Sequence, residues 1–135
     1  PMITYSFPGK VVLVTGSSRG IGAAVLEGFA RAGAVCVLHF WDDPDGANRA
    51  DAVAHAETLR TAGAAAVHRF DADVRDANAV ECLFVKVKEA CGGLDVLVNN
   101  AGILKDRSLK KMAVADWDAV LDTNLTGVFH CCKFG

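Results

Sequence analysis

Short apolar runs alternate with longer amphipathic stretches along this chain. The runs are rich in β-branched residues, as in parallel strands buried on both faces, while apolar residues in the stretches between them recur about every three to four positions, as on one side of a helix. The predicted strands are Lys10–Val14, Val35–Phe40, Ala64–Phe70 and Leu94–Asn99. The predicted helices are Gly20–Ala32, Ala47–Thr61, Ala77–Ala90, Ala113–Leu121 and Asn124–Phe134.

This alternation predicts an α/β fold with a doubly wound, mostly parallel sheet and helices on both of its faces. No repeat, low-complexity tract or linker interrupts the pattern, so we expect one domain over residues 1–135. With 52% hydrophobic and 22% charged residues, the chain has enough apolar material for a core and is not typical of disorder.

Charge and hydropathy exclude several classes of partner. The net charge is −2 and the longest basic run is Lys110-Lys111, so no basic face for nucleic acid is expected. No apolar run approaches the roughly 18 residues that span a bilayer, and the first ten residues do not resemble a secretory signal. We therefore expect a cytoplasmic protein without membrane contact.

The cysteines and histidines show no pattern of a metal site, a disulfide framework or a catalytic base. We expect the five cysteines to be small buried hydrophobic residues, the alternative being a reactive thiol at Cys131 or Cys132. The cysteines are Cys36, Cys82, Cys91, Cys131 and Cys132. We expect partly buried or surface positions for the histidines, which are His39, His55, His68 and His130.

The stretch TGSSRGIG, from Thr15 to Gly22, follows the first predicted strand and opens the first predicted helix. Ligands of such sheets bind at the carboxyl ends of the strands. Glycines there permit a sharp turn and close approach of a pyrophosphate to the backbone, and the helix N-terminus offers free N–H groups. The alternative is that the glycines serve only the turn and helix packing. A P-loop is excluded because no Gly-Lys-Ser/Thr follows.

Two further strand ends suit the same ligand. Asp73, in DADVRD, can accept a hydrogen bond from an adenine amino group, and NNAG supplies Asn99, Asn100 and Gly102. Either segment alone would suit a helix cap or a plain turn. At successive strand ends of one sheet, they together favour a dinucleotide site.

The motifs TGSSRGIG, Asp73-Val74, NNAG and DTNLTGVF together resemble the short-chain dehydrogenase/reductase family. The segment from Asn99 through DTNLTGVF is most similar to the branch of 3-oxoacyl-[acyl-carrier-protein] and acetoacetyl-CoA reductases. This resemblance implies a Rossmann-type fold and an NAD(P)H-dependent oxidoreductase that reduces a carbonyl, with a 3-oxoacyl thioester as substrate. It also implies homo-oligomers for full-length members.

The resemblance implies a role for each matching residue and no metal. Asn124 corresponds to the asparagine of the catalytic tetrad. Asp73 and Val74 would hold the adenine, and the ribose region would contact Asn100, Ala101 and Gly102. The cofactor-binding residues of the glycine-rich loop are Gly16, Ser17, Ser18, Arg19, Gly20, Ile21 and Gly22.

Family members are about twice as long, and their catalytic serine and Tyr-x-x-x-Lys pair have no counterpart here. The single tyrosine is Tyr5, with Gly9 four residues on. Carbonyl reduction needs that tyrosine as proton donor, so we expect the front half of a reductase that is inactive alone. The alternatives are a non-catalytic NADP-binding or interaction protein and a flavodoxin-like or receiver domain, although a receiver's acidic cluster is missing after the first strand.

NADP(H) is favoured over NAD(H) as the cofactor. Phe40 and Trp41 occupy the positions after the second strand where an NAD-preferring site places an acid, and Arg19 offers a cation to a 2′-phosphate. The carboxylates of Asp42 and Asp43 would repel a 2′-phosphate if their side chains pointed into the cofactor site.

The family strand order leaves the fourth strand at the edge of the sheet within this sequence. The apolar segment Leu94–Val98 would then be unprotected, which predicts self-association or poor solubility of the isolated chain.

Overall fold

A computed structural model describes residues 2–135 as a four-stranded parallel sheet of order β3-β2-β1-β4. The strands are β1 Val11–Val14, β2 Val35–Phe40, β3 Ala66–Asp71 and β4 Val96–Val98. The helices are α1 Gly20–Arg31, α2 Ala47–Ala62, α3 Ala77–Cys91, α4 Val114–Leu121 and α5 Gly127–Phe134, with a short 3-10 turn at Leu109–Lys111. The predicted parallel α/β fold is confirmed.

The core lies in two layers, one on each face of the sheet. Because side chains alternate along a strand, Leu13 of β1 faces α3 and α5, whereas Val12 and Val14 face α1 and α2. All four residues of β1 and the last five of β2 are buried. The central strands therefore form a rigid platform whose carboxyl ends carry the loops described below.

The two outer strands are less buried than the sequence predicts. Every residue of β4 and most of β3 are only half-buried, since each strand has a neighbour on one side alone. The prediction that the fourth strand lies at the sheet edge is confirmed, with Val12 paired to Val96 and Val14 to Val98.

The prediction of two separate helices at the end of the chain is wrong. α4 and α5 form one continuous helix, joined by a π-helical turn at Asp122–Thr126. Leu121 and Thr126 both have right-handed helical angles, and Gly127 lies inside the helix at φ −59. Neither a proline nor a left-handed glycine breaks this stretch, so the polar DTN sequence is absorbed as a wider turn.

The cysteines are only partly as predicted. Cys36 and Cys131 are buried and Cys91 is half-buried, but Cys82 and Cys132 are exposed. Cys82 directly precedes the buried Leu83 on amphipathic α3, so it falls on the solvent side. Burial raises the pKa of both Cys36 and Cys131 to about 11, which opposes the reactive-thiol alternative at Cys131.

Over residues 2–135, no helix is long and apolar enough to cross a membrane. The same residues contain no group of three or more His, Cys, Asp or Glu side chains that could hold a metal ion.

Candidate functional site

A cleft of about 820 Å³ opens at the carboxyl ends of the strands. Its walls come from the loops after all four strands and from the middle of the last helix. Most of the predicted cofactor-binding residues line it, namely Gly16, Ser18, Arg19, Ile21, Gly22, Asp73, Val74, Asn100, Ala101 and Gly102. Ser17 and Gly20 belong to the same loop but lie outside the cleft lining.

The glycine-rich loop is packed tightly against the segment after β4. Gly16 has φ +65, and a Cβ there would lie 3.0 Å from the Cα of Ala101. A Cβ on Gly22 would lie 2.4 Å from both the Asn100 Nδ2 and the Gly16 carbonyl oxygen. Gly20 adopts φ +62 with open space around it. Packing therefore requires glycine at positions 16 and 22, and the left-handed backbone conformation requires it at positions 16 and 20.

Thr15 and Asn100 tie this loop to β4. The Thr15 hydroxyl oxygen accepts hydrogen bonds from the backbone N–H groups of Asn100 at 2.9 Å and Ala101 at 3.0 Å. In return, the Asn100 side-chain amide donates to the carbonyl oxygens of Thr15 at 2.9 Å and Gly16 at 3.1 Å. These reciprocal bonds fix the floor of the cleft.

His39, predicted to be surface or partly buried, is in fact buried beneath the loop, with 1% of its surface exposed. Its Nδ1 accepts from the Gly16 N–H at 3.0 Å, and its Nε2 donates to the Ala72 carbonyl oxygen at 3.0 Å. Its backbone N–H donates to the Ser17 hydroxyl, which explains why Ser17 is turned away from the cleft. Burial lowers the pKa of His39 to about 4, so the ring is neutral at physiological pH.

The N-terminus of α1 points a positive dipole end at the cleft. Arg19 precedes the helix without capping it through its side chain, and the first turn contains no acidic residue. Gly22, buried in that turn, brings the backbone close to the loop. A helix start with uncapped N–H groups is a site for an anion such as a phosphate.

The charged side chains in the cleft lining are three cations and one carboxylate. Arg19 makes an ion pair with Asp51 of α2 at 3.5 Å, although both groups are largely exposed. Asp73 accepts from the Arg75 guanidinium at 2.6–3.0 Å, which holds the pKa of its carboxyl below the ordinary value. The third cation is Lys105.

The rim after β2 is shaped by an aromatic ring. Trp41 is partly exposed, and the Arg75 guanidinium carbon lies 5.8 Å from its ring centroid. Asp42 pairs with Arg49 of α2, and the Asp43 carboxylate accepts from the backbone N–H of Asn48 at 2.8 Å. Neither acid lines the cleft, so the repulsion considered from the sequence does not arise in this arrangement.

Asn124 lies in the π-helical turn, beside the cleft rather than in its lining. Its Oδ1 accepts from the Ile103 N–H at 2.8 Å, and its Nδ2 donates to the Ile103 carbonyl oxygen at 3.0 Å. Both ends of its amide therefore hold the loop segment that follows Gly102. Tyr5 is exposed near the beginning of the chain and is not a lining residue.

No structural role is predicted from the sequence for four residues that shape this site. Thr15, Trp41 and Arg75 lie in segments that the sequence singles out, whereas His39 is predicted to be at the surface or partly buried. A signal existed for His39, because a polar ring inside the apolar run VCVLHF needs a hydrogen-bond partner when that strand is buried. Arg75 follows Asp73 by two residues, a spacing that permits the local ion pair.

Residues 10–134 match the family model for short chain dehydrogenases. The chain belongs to this family. A 3-oxoacyl-[acyl-carrier-protein] reductase of Synechocystis sp. is 42% identical over 124 residues, which are 92% of this chain and 48% of the relative. The chain thus spans about half the length of the curated relatives it matches.

Solved short-chain dehydrogenase structures superpose closely on this one. A short chain dehydrogenase of Burkholderia cenocepacia in complex with NADP has a TM-score of 0.83 and 36% identity, covering 94% of this chain and 49% of that one. An NADH-dependent reductase complexed with NAD has a TM-score of 0.81 and 38% identity, covering 94% and 51%. Neighbours of the same fold therefore bind either dinucleotide.

Proposed function

We propose that this chain binds a nicotinamide dinucleotide in the cleft and forms the cofactor-binding part of an NAD(P)H-dependent carbonyl reductase. The observation that carries the proposal is the glycine-rich loop opening into α1, whose uncapped N-terminus faces a cleft lined by the other strand ends. Gly16 packs against Ala101 and Gly22 against Asn100, so the loop presents backbone and no side chain at these two positions. Such a cradle fits a pyrophosphate.

The residues available to the cofactor follow from their places in the cleft. The loop from Gly16 to Gly22 would hold the pyrophosphate, and the buried Val74 with Asp73 would flank the adenine. Asn100 to Gly102 would lie along the nicotinamide-side ribose. When bound, the reduced cofactor supplies a hydride to a substrate carbonyl. Asn124 would keep the segment after β4 in place through its two bonds to Ile103.

NADP(H) is the proposed preference because cations dominate the cleft. Arg19, whose pair with Asp51 is long and exposed, is available to a 2′-phosphate, and Arg75 already neutralises the Asp73 carboxylate. Asp42 and Asp43 are engaged with α2. The 2′-phosphate would therefore meet positive charge on the rim.

The proposed substrate class is a 3-oxoacyl thioester, supported by the similarity to the Synechocystis reductase. The tyrosine that would act as proton donor has no counterpart in the cleft, because the single tyrosine of the sequence, Tyr5, is not among its lining residues. We propose that it binds cofactor without reducing a ketone.

The test is a fluorescence titration of the purified chain with NADPH, followed by incubation with acetoacetyl-CoA. We expect saturable binding and no loss of NADPH absorbance beyond the buffer control. Steady NADPH consumption that survives removal of contaminating reductase would contradict the proposed division between binding and catalysis. Absence of binding by a folded chain would contradict the proposed cofactor site.

A further inference from the structure

His39 connects three of the four strand ends that form the site. It is the penultimate residue of β2, its Nδ1 accepts from the Gly16 N–H, and its Nε2–H donates to the Ala72 carbonyl after β3. The Gly16 N–H can only donate and the Ala72 carbonyl can only accept, so the two partners fix a single neutral tautomer. The ring is thus a spacer with an acceptor on one edge and a donor on the other.

Gly16 is restrained on its remaining sides. Its carbonyl oxygen accepts from the Asn100 side chain at 3.1 Å, and its Cα lies against Ala101. The direction of the Gly16 N–H is therefore the conformational freedom that remains where the loop leaves β1. The hydrogen bond to His39 Nδ1 fixes that direction. If this partly buried N–H loses its acceptor, the loop has to move to give it another partner.

We propose that neutral His39 is a positioning residue for the cofactor, which holds the glycine-rich loop in its phosphate-binding conformation through the Nδ1 acceptor for Gly16. This inference rests on the proposed function. His39 would act through Gly16 and not on the phosphate, because both of its ring nitrogens already have hydrogen-bond partners within the protein. The bond to Ala72 contributes stability, and the bond to Gly16 determines affinity.

The charged groups near the ring do not overcome the effect of burial. Asp71 and Asp73 act on His39 through space and favour its protonated form, but burial outweighs them. Protonation would place an N–H on Nδ1 directly against the Gly16 N–H, so the same bond could not form. The loop is therefore held only while Nδ1 is unprotonated.

Two variants separate the two bonds. His39→Asn places an amide oxygen where Nδ1 stands and keeps the acceptor for Gly16 but cannot reach Ala72. His39→Gln reaches toward Ala72 but loses the acceptor. Calorimetric titration with NADP⁺ at neutral pH should show His39→Asn within about threefold of wild type and His39→Gln weaker by about tenfold or more. Both variants lose the ring, so a merely structural role would weaken both alike or favour His39→Gln, and either result would overturn the proposal.

A measurement on the cofactor-free wild-type chain keeps the test independent of variant folding. ¹⁵N NMR of the imidazole should show Nδ1 unprotonated and Nε2 protonated at neutral pH, with a scalar coupling from Nδ1 to the Gly16 amide across the hydrogen bond. A protonated Nδ1, or no coupling, would overturn the role of His39. Failure of the wild-type chain to bind NADP⁺ with this coupling present would instead contradict the proposed function.

Discussion

The proposed preference for NADP(H) depends mainly on one residue, Arg19. Its ion pair with Asp51 is 3.5 Å long and joins two exposed side chains, so it is weak and leaves the guanidinium free to reach a bound phosphate. Arg31, at the other end of α1, forms an exposed pair with Glu27 and is not part of the cleft lining. The two arginines therefore form a matched pair for mutation.

We predict that Arg19→Ala weakens NADPH binding by about 1.5–3 kcal/mol, the range for a hydrogen bond to a charged group, and leaves NADH binding nearly unchanged. Arg31→Ala should alter neither affinity. Fluorescence titrations with both cofactors measure the difference. Equal losses for NADPH and NADH in Arg19→Ala would mean that Arg19 contacts a part that the two cofactors share, or only supports the fold.

His39 gives the stability of the chain a predictable dependence on pH. Its pKa falls from about 6.5 to about 4 on folding, so between these values the unfolded state binds more protons and folding stability rises with pH. As pH falls from 6.5 to 4, the wild type should lose about 3 kcal/mol from this group, at about 1.4 kcal/mol per pKa unit. Urea unfolding at several pH values should show a flatter profile for His39→Asn. Parallel profiles would contradict a buried neutral ring.

Within the helix α1, Gly22 and Gly28 differ in whether there is space for a side chain. A Cβ on Gly22 would lie 2.4 Å from Asn100 Nδ2 and from the Gly16 carbonyl, whereas Gly28 has nothing within 4 Å of the added atom. Gly22→Ala should destabilise the fold by roughly 1–3 kcal/mol through overpacking and disrupt cofactor binding. Gly28→Ala should stabilise α1 by about 0.5–1 kcal/mol and leave binding intact.

Thermal unfolding followed by cofactor titration compares these two variants. A Gly22→Ala protein with wild-type stability and affinity would show that the loop does not need the close contact with Asn100. Both changes add one methyl group to the same helix. Helix propensity therefore cannot explain why one variant would be less stable than the wild type and the other more stable.

The elements whose boundaries the sequence predicts well are those fixed by local chemistry. β2 begins and ends as predicted, because its apolar run is bounded by Gly33 and by the polar Asp42. α3 starts at Ala77 as predicted, where the Asp76 side chain accepts from the backbone N–H groups of Asn78 and Ala79. Such caps depend only on neighbouring residues and can therefore be deduced from a single sequence.

Features that depend on contacts between residues far apart in the sequence are not predicted from the sequence pattern. The π-helical turn follows from no local signal, although it carries Asn124 beside Ile103. The buried position of His39 arises because β2 lies between β1 and β3, so its ring faces Gly16 and Ala72 together. The glycine-rich loop itself was predictable, since its residues are consecutive in the chain and follow a strand.

At the scale of the whole molecule, two apolar surfaces are exposed. β4 pairs with β1 on one side only. The helix from α4 to α5 exposes the apolar side chains Trp117, Leu121, Leu125 and Phe129, which are spaced four residues apart along the sequence. An unpaired strand edge and an apolar helix stripe both favour contact with another chain.

We predict that the 135-residue chain self-associates at micromolar concentration. Light scattering over a concentration series measures this directly, and the double variant Leu125→Lys, Phe129→Lys distinguishes the two surfaces. Association that persists in that variant would assign it to β4, and its loss would assign it to the helix stripe. A well-dispersed wild-type monomer with a cooperative unfolding transition would show that neither surface drives association.

NMR chemical-shift mapping of the ¹⁵N-labelled chain with NADP⁺ tests whether the cleft at the strand ends binds a nicotinamide dinucleotide. We predict saturable shifts concentrated in the amides of Gly16 to Gly22, of Asp73 and Val74, and of Asn100 to Gly102. The groove between α1 and α2 near Glu57 and Thr61 serves as the internal control and should not respond. Shifts confined to that groove, or no shifts in a folded chain, would show that the dinucleotide does not bind in the cleft.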